Sequence, residues 1–357
     1  MIPDSWAYEP ELNRDLRLDM LRGACVLGMI VNHVGGPSWA RTVTQSNGTF
    51  FTPAEGFVFL SGYVVGRVYR SYQQKSGLRD AMAKAVKRSI TLYKLTTVLS
   101  LGFGAALAVN GCPKANITAR REFVRDVVLL RRTLYLTDVP LLYAQLMAAA
   151  AGALWLLAHS RVKTLLALSA SLWAAYQIAP HKAGKLPWPI AENEVFHFAA
   201  WQLYFMVGLT AGYHGPAVAR ALRRVALPAV LGSAAGFATL LALEAEGGSH
   251  PWIERLAGKG SAGPLRLMAC TFVFPLAYLL ATYMWRPLRK YLGPLLLPLG
   301  QNSLYAYTMH IVLIGLLWKP LERLSRSKTL SCIAQLSSVA AIRWLIGKRF
   351  LFRVVPR

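Results

Sequence analysis

Asp19, Arg22, Asn32 and His33 all fall within one otherwise apolar run, RLDMLRGACVLGMIVNHV (residues 17–34). A charged side chain at the centre of a bilayer costs at least about 2.5 kcal/mol, so a chain that keeps several in one apolar run has a use for them. An imidazole exchanges its proton near neutral pH, and a guanidinium holds an anion through paired N–H donors. Together they could take a proton from one group while holding a charged molecule by another. At about 100° per residue in a helix, the step from Arg22 to His33 is three full turns plus about 20°, and Asp19 lies within about 40° of His33. One polar stripe therefore runs down the helix, and Arg22 and His33 stand about 16 Å apart along its axis.

Glu55 begins the next apolar run, TPAEGFVFLSGYVVG (52–66). It is expected at the level of His33, where a carboxylate would orient the imidazole and stabilise its protonated form. Ser61, Gly62 and the Gly62-x-x-x-Gly66 spacing make a small-residue face that lets helices approach closely, and packing explains Ser61 as readily as chemistry does. The densest basic segment follows, RVYRSYQQKSGLRDAMAKAVKRSITLY (67–93). Lys84, Lys87 and Arg88 stand at i, i+3 and i+4, so they share one helical face that leads to Tyr93. A phosphate-rich molecule such as coenzyme A would be held there by charge and paired hydrogen bonds. An ordinary basic anchor at the membrane surface accounts for the same charges. Near the end, LGQNSLYAYTMHIVLIGLL (299–317) holds Gln301, Asn302, Ser303 and His310. A histidine inside a bundle often serves structure alone, and His33 differs from His310 in its charged stripe and acidic neighbour.

The elements that must position these groups follow from composition. Of 357 residues, 55% are hydrophobic and 16% charged, against about a quarter charged in a soluble domain. The chain reads as a polytopic protein of the lipid bilayer. Lys and Arg number 40 against 16 Asp and Glu, for a net charge of +24. Nucleic acid is not the expected partner, because the basic residues fall between apolar runs and no recognition motif accompanies them. Cys25, Cys112, Cys270 and Cys332 form no C-x-x-C pair and no metal spacing, so neither a disulfide framework nor a metal site is expected. No G-x-S-x-G elbow, phosphate-binding loop or H-E-x-x-H occurs, which leaves hydrolase, ATPase and metalloenzyme readings unsupported.

Ten apolar runs approach the length that crosses a bilayer as helix. They cover about 17–36, 54–72, 89–109, 139–158, 163–179, 195–213, 225–243, 266–284, 299–318 and 329–346. The expected fold is all-α, a single bundle of about ten transmembrane helices over 17–346. A polar cytoplasmic segment (1–16) precedes it and a basic cytoplasmic tail (347–357) follows. The first sixteen residues lack an apolar signal-peptide core, so insertion is expected to begin with the first run. Basic residues in the short loops place both termini inside. Lys114, Arg120, Arg121, Arg125, Arg131 and Arg132 run against that rule, since the connection 110–138 falls outside. Part of it, ITARREFVRDVVLLRRTLYL, alternates apolar and basic positions at helical spacing, as an interfacial helix or a solvated loop would. Asn116 to Thr118 forms a glycosylation triplet of the kind that arises by chance.

At these segments the sequence resembles a known family. RDLRLDMLRGACVLGMIVNHV with AEGFVFLSGYVVG, then DVPLLYAQL, FHFAAWQLYFMVGLTAG and GPLRLMACTFVFPLAYLLA, look like the OpgC family, membrane proteins that succinylate osmoregulated periplasmic glucans. The likeness runs from about residue 14 to 318. The wider acyltransferase-three superfamily shares an L-D-x-x-R-G start with a histidine beyond it, here Leu18-Asp19, Arg22-Gly23 and His33. It also shares a basic segment leading into a tyrosine, here Lys87-Arg88 to Tyr93, and a closing L-G-x-x-S-x-x-x-Y-x-x-H, here Leu299-Gly300, Ser303, Tyr307 and His310. The resemblance implies transfer of an acyl group from cytoplasmic acyl-coenzyme A to a hydroxyl on an extracytoplasmic glycan, with no metal. It makes His33 the base and the inner basic residues, Arg22, Lys87 and Arg88, the donor contacts. Glu55 orients the base, and Asp19, Ser61, Asn302, Ser303 and His310 support the site. The connection 110–138 is more basic than glucan succinyltransferases lead one to expect. A transporter using the same stripe as its path is the alternative, although its usual internal repeat is missing. A scaffold for envelope enzymes is a third reading.

Overall fold

Long runs of Leu, Ala, Val and Phe fold as helix, and in hydrocarbon a helix satisfies every backbone group within its own segment. A computed structural model describes residues 7–8, 14–44, 50–110, 120–247 and 250–356. Among these residues there is no strand, and Arg132 and Ala191 form an isolated bridge. Cys112 and the triplet at Asn116 lie outside the described residues.

The first helix, α1 (Leu16–His33), is capped by Asp15, whose side chain accepts from the Arg17 amide. After α2 (Trp39–Thr44) and α3 (Pro53–Ser76), Gly77 turns the chain with a φ of 89°, which suits glycine, into the long α4 (Leu78–Val109). Then come α5 (Arg120–Val128), α6 (Asp138–Ala158), α7 (Val162–Ile178), α8 (Pro180–Ala183), α9 (Phe198–Tyr213), α10 (Gly215–Arg224) and α11 (Ala226–Gly247). The remainder is α12 (Pro251–Leu256), α13 (Pro264–Tyr283), α14 (Trp285–Tyr291), α15 (Gly293–Gln301), α16 (Ser303–Leu316), α17 (Trp318–Leu324) and α18 (Lys328–Gly347).

Each of the ten expected runs falls on helix, but the count of about ten membrane spans is not confirmed. Among the described residues, five helices can cross by length and apolar composition: α4, α6, α11, α13 and α18. A sixth is the pair α16 and α17, if it is one span bent by 84°. Other helices fall below that mark for physical reasons. α1 carries Arg17, Asp19 and Arg22 in its 18 residues, and α7 and α9 are only 17 and 16 residues long. Several helices this long and apolar fit a membrane protein. In the connection 110–138, α5 is helical and buries Phe123 and Val127, one turn apart, with Arg121 and Arg125 exposed.

The chain forms two compact units, and the first comprises Met1–Leu60, Val218–Ala257 and Pro264–Arg357. In it α1 packs against α2, α13, α15, α16 and α18. The crossing of α1 and α15 is close because glycine stands on both sides. A Cβ at Gly23 would overlap the Leu296 carbonyl, and one at Gly300 would overlap the Asp19 carbonyl. The second unit, Ser61–Ala217 with Gly258–Gly263, is built on α4, α6, α7 and α9. Ser89 Oγ donates to the Ala144 carbonyl at 2.7 Å and Ser100 Oγ to Thr137 Oγ1 at 3.0 Å, which fixes α4 on α6. Gly62 and Gly66 lie against the backbone of Phe205 and Leu209 on α9, as the small-residue spacing predicts.

Candidate functional site

The polar stripe of α1 lies in the first unit, and each of its members meets a partner. Asp19 is 4% exposed and accepts from Arg14 Nε at 2.5 Å and from a terminal Arg14 nitrogen at 2.9 Å. This two-point pairing raises the pKa of Arg14, chiefly through the hydrogen bond to Asp19. One turn further on, a terminal nitrogen of half-buried Arg22 donates to Ser303 Oγ at 2.5 Å. Ser303 is the first residue of α16 and is 2% exposed. Its neighbour Asn302 turns back and donates to the Pro298 carbonyl at 2.9 Å.

His33, the last residue of α1, is half-buried, and its Nδ1 stands 3.0 Å from Nε2 of His310 on α16. The two rings lie in nearly parallel planes, 19° apart, with centroids separated by 5.2 Å. Tyr307, one turn before His310, packs edge-on against that imidazole at 4.5 Å. The sequence reading gave His33 a carboxylate neighbour, but in the structure it meets a second imidazole.

Glu55 is engaged elsewhere. It is fully buried, and its Oε2 accepts from both the amide and the hydroxyl of Thr52, the amide at 2.9 Å. That is one half of a capping box, in which the third residue of a helix reaches back to the amide before it. Its Oε1 accepts from a terminal nitrogen of Arg266 at 2.6 Å, while Arg266 Nε donates to the Ala257 carbonyl at 2.6 Å. Arg266 stands in the first turn of α13 and was missed in the sequence. The signal was there, because an arginine inside an apolar run has to be paired, and the argument made for Arg22 applies equally to it. Cys25 faces the same region, its sulfur packed where a Cβ on Gly56 would fall.

The remaining expected residues belong to the second unit. Ser61 on α3 is buried, at 7% exposure. On α4 Lys84 and Lys87 are exposed and Arg88 is half-buried, while Ala81 and Ala85 are buried. Lys84 Nζ lies 3.3 Å from the centre of the Tyr72 ring. Of the expected donor contacts, Arg22 belongs to the first unit and Lys87 and Arg88 to the second. Among the described residues no three His, Cys, Asp or Glu side chains gather as metal ligands.

A family model described as "OpgC protein" matches residues 14–348, nearly the whole chain. The chain belongs to the OpgC family. Within this OpgC match fall Arg14, Asp19, Arg22, His33, Glu55, Arg266, Ser303 and His310, so the whole first-unit site lies in the family's own stretch. The chain matches no curated protein and no solved structure.

Proposed function

We propose that the chain is an integral membrane O-acyltransferase that moves a succinyl or similar acyl group from cytoplasmic acyl-coenzyme A to a hydroxyl of an extracytoplasmic glycan. The observation that carries this reading is the half-buried His33 at one end of α1, held against a second imidazole, with the half-buried cation Arg22 three turns away on the same helix. Membership of the OpgC family supports it.

His33 takes the proton of the acceptor hydroxyl, and the freed oxygen attacks the thioester carbonyl. The carbon–sulfur bond breaks, the ester oxygen keeps the acyl group, and the coenzyme A thiolate recovers the proton from the imidazolium. A neutral imidazole has the right strength for both transfers near pH 7. Arg22 binds a phosphate of the donor. Glu55 serves by holding Arg266 and the start of α3, which carries Gly56 against Cys25.

The test uses the detergent-purified chain with succinyl-coenzyme A and a glucan oligosaccharide, and follows release of free thiol with ester formation on the glucan. His33→Ala should lower turnover by roughly 10²–10⁴-fold, the usual worth of a general base. Full transfer by a properly folded H33A protein would refute the assignment. Absence of thiol release from the unaltered protein would favour a transporter.

A further inference from the structure

We infer that His310 is a positioning residue: it accepts a proton-bearing Nδ1 of His33 through its own Nε2, and so fixes the basic lone pair of His33 on Nε2. The inference rests on the reading of His33 as a base.

Two neutral imidazoles meeting nitrogen to nitrogen at 3.0 Å share one hydrogen, and it can be attached to either side. If His310 Nε2 carried it, His33 Nδ1 would be the acceptor, and the one hydrogen of a neutral His33 would sit on Nε2. That nitrogen could then take no proton from a substrate. If His33 Nδ1 carries it, His33 Nε2 holds the lone pair that general-base chemistry needs. The two arrangements are chemically opposite, and the far side of His310 decides between them.

The His310 ring is fully enclosed, with 0% exposure. Its Nδ1 is buried with no hydrogen-bond partner, and the polar groups one turn back on its own helix that act on the ring are the backbones of Ala306 and Tyr307. A bare nitrogen lone pair set against carbonyl oxygens is repulsive, whereas an N–H set there is attractive. The hydrogen of neutral His310 therefore belongs on Nδ1, which leaves Nε2 as the acceptor. The chain of donation then runs from His33 Nδ1 to His310 Nε2, and from His310 Nδ1 toward the start of its own helical turn. The same donor stays in place when His33 is protonated, so His310 needs no rearrangement during turnover. In serine hydrolases a buried carboxylate holds its histidine in one tautomer. Here the holder is an uncharged ring whose own tautomer is set by a helix backbone.

Glutamine and asparagine separate the two nitrogens of His310. A glutamine amide reaches the place of Nε2, whereas an asparagine amide reaches only that of Nδ1. Using the full chain in detergent with succinyl-coenzyme A and a glucan oligosaccharide, His310→Gln should keep kcat within a few-fold. His310→Asn and His310→Leu should lose about 10²-fold in kcat, the cost of a mispositioned catalytic group, with donor KM unchanged. Elution volume and thermal midpoint of each variant identify the folded fraction to which rates are normalised. Should leucine prevent folding, the Gln and Asn pair still decides.

Three results would overturn the inference: wild-type kcat in folded H310L, better rescue by asparagine than by glutamine, or losses confined to donor KM. Each leaves His33 as the base provided that H33A is inactive. An active H33A would remove the proposed function itself.

Discussion

At the scale of single residues, the first unit contains two buried polar clusters that do different work. His33 and His310 meet nitrogen to nitrogen, while Glu55 and Arg266 are an ion pair whose other contacts are Thr52 and the Ala257 carbonyl. Glu55→Gln should therefore act first on stability. Leaving the Arg266 cation, 11% exposed, without its carboxylate should cost about 3–5 kcal/mol. Thermal unfolding of the purified protein would register the loss, and adding Arg266→Met to E55Q should recover part of it, as expected for coupled sites. Both clusters bear on what the sequence discloses. The α1 stripe was legible because helical period alone puts Asp19, Arg22 and His33 on one side. The partners of that stripe were not, since Ser303 and His310 lie 281 and 277 residues away from Arg22 and His33. Glu55 was misplaced for a nearer reason: T-P-A-E spells a capping box, and that local claim on the carboxylate competes with any catalytic one.

At the scale of elements, the site depends on how closely α1 and α15 approach. Gly300→Ala should cost about 1–3 kcal/mol, because the added carbon meets the Asp19 backbone carbonyl, which no side-chain rotation can relieve. Turnover should fall with stability, as α15 leads directly into α16 and so into Ser303 and His310. Gly102→Ala on α4 is the control. Nothing lies within 4 Å of the added carbon, and an alanine inside a helix should be neutral or slightly stabilising. Thermal midpoints in detergent compare the two. Helices were readable from apolar runs, and their breaks were less so. The run 299–318 was expected as one span, yet it divides at Asn302 and bends by 84° at Leu317. Pro320 early in α17 explains the break at Leu317, since proline cannot donate to the Leu316 carbonyl and its ring clashes with the preceding turn.

At the scale of the whole molecule, charge sets orientation. A fluorescent protein fused after Arg357 should fluoresce in living cells and alkaline phosphatase fused there should be inactive, because the basic loops favour a cytoplasmic tail. Active phosphatase at that position would reverse the topology, and with it the side from which the acyl donor arrives. The apolar runs of the sequence suggest about ten spans, whereas five or six helices among the described residues combine length with few charges, a combination that α1, α7 and α9 lack. The first unit is also discontinuous in the chain, made of Met1–Leu60 with the later segments Val218–Ala257 and Pro264–Arg357. During synthesis Glu55 leaves the ribosome some 200 residues ahead of Arg266, and His33 some 280 ahead of His310. The nascent protein must therefore shelter an uncompensated carboxylate in or beside the lipid for most of its elongation. Chains released before Arg266 would carry that charge unmatched.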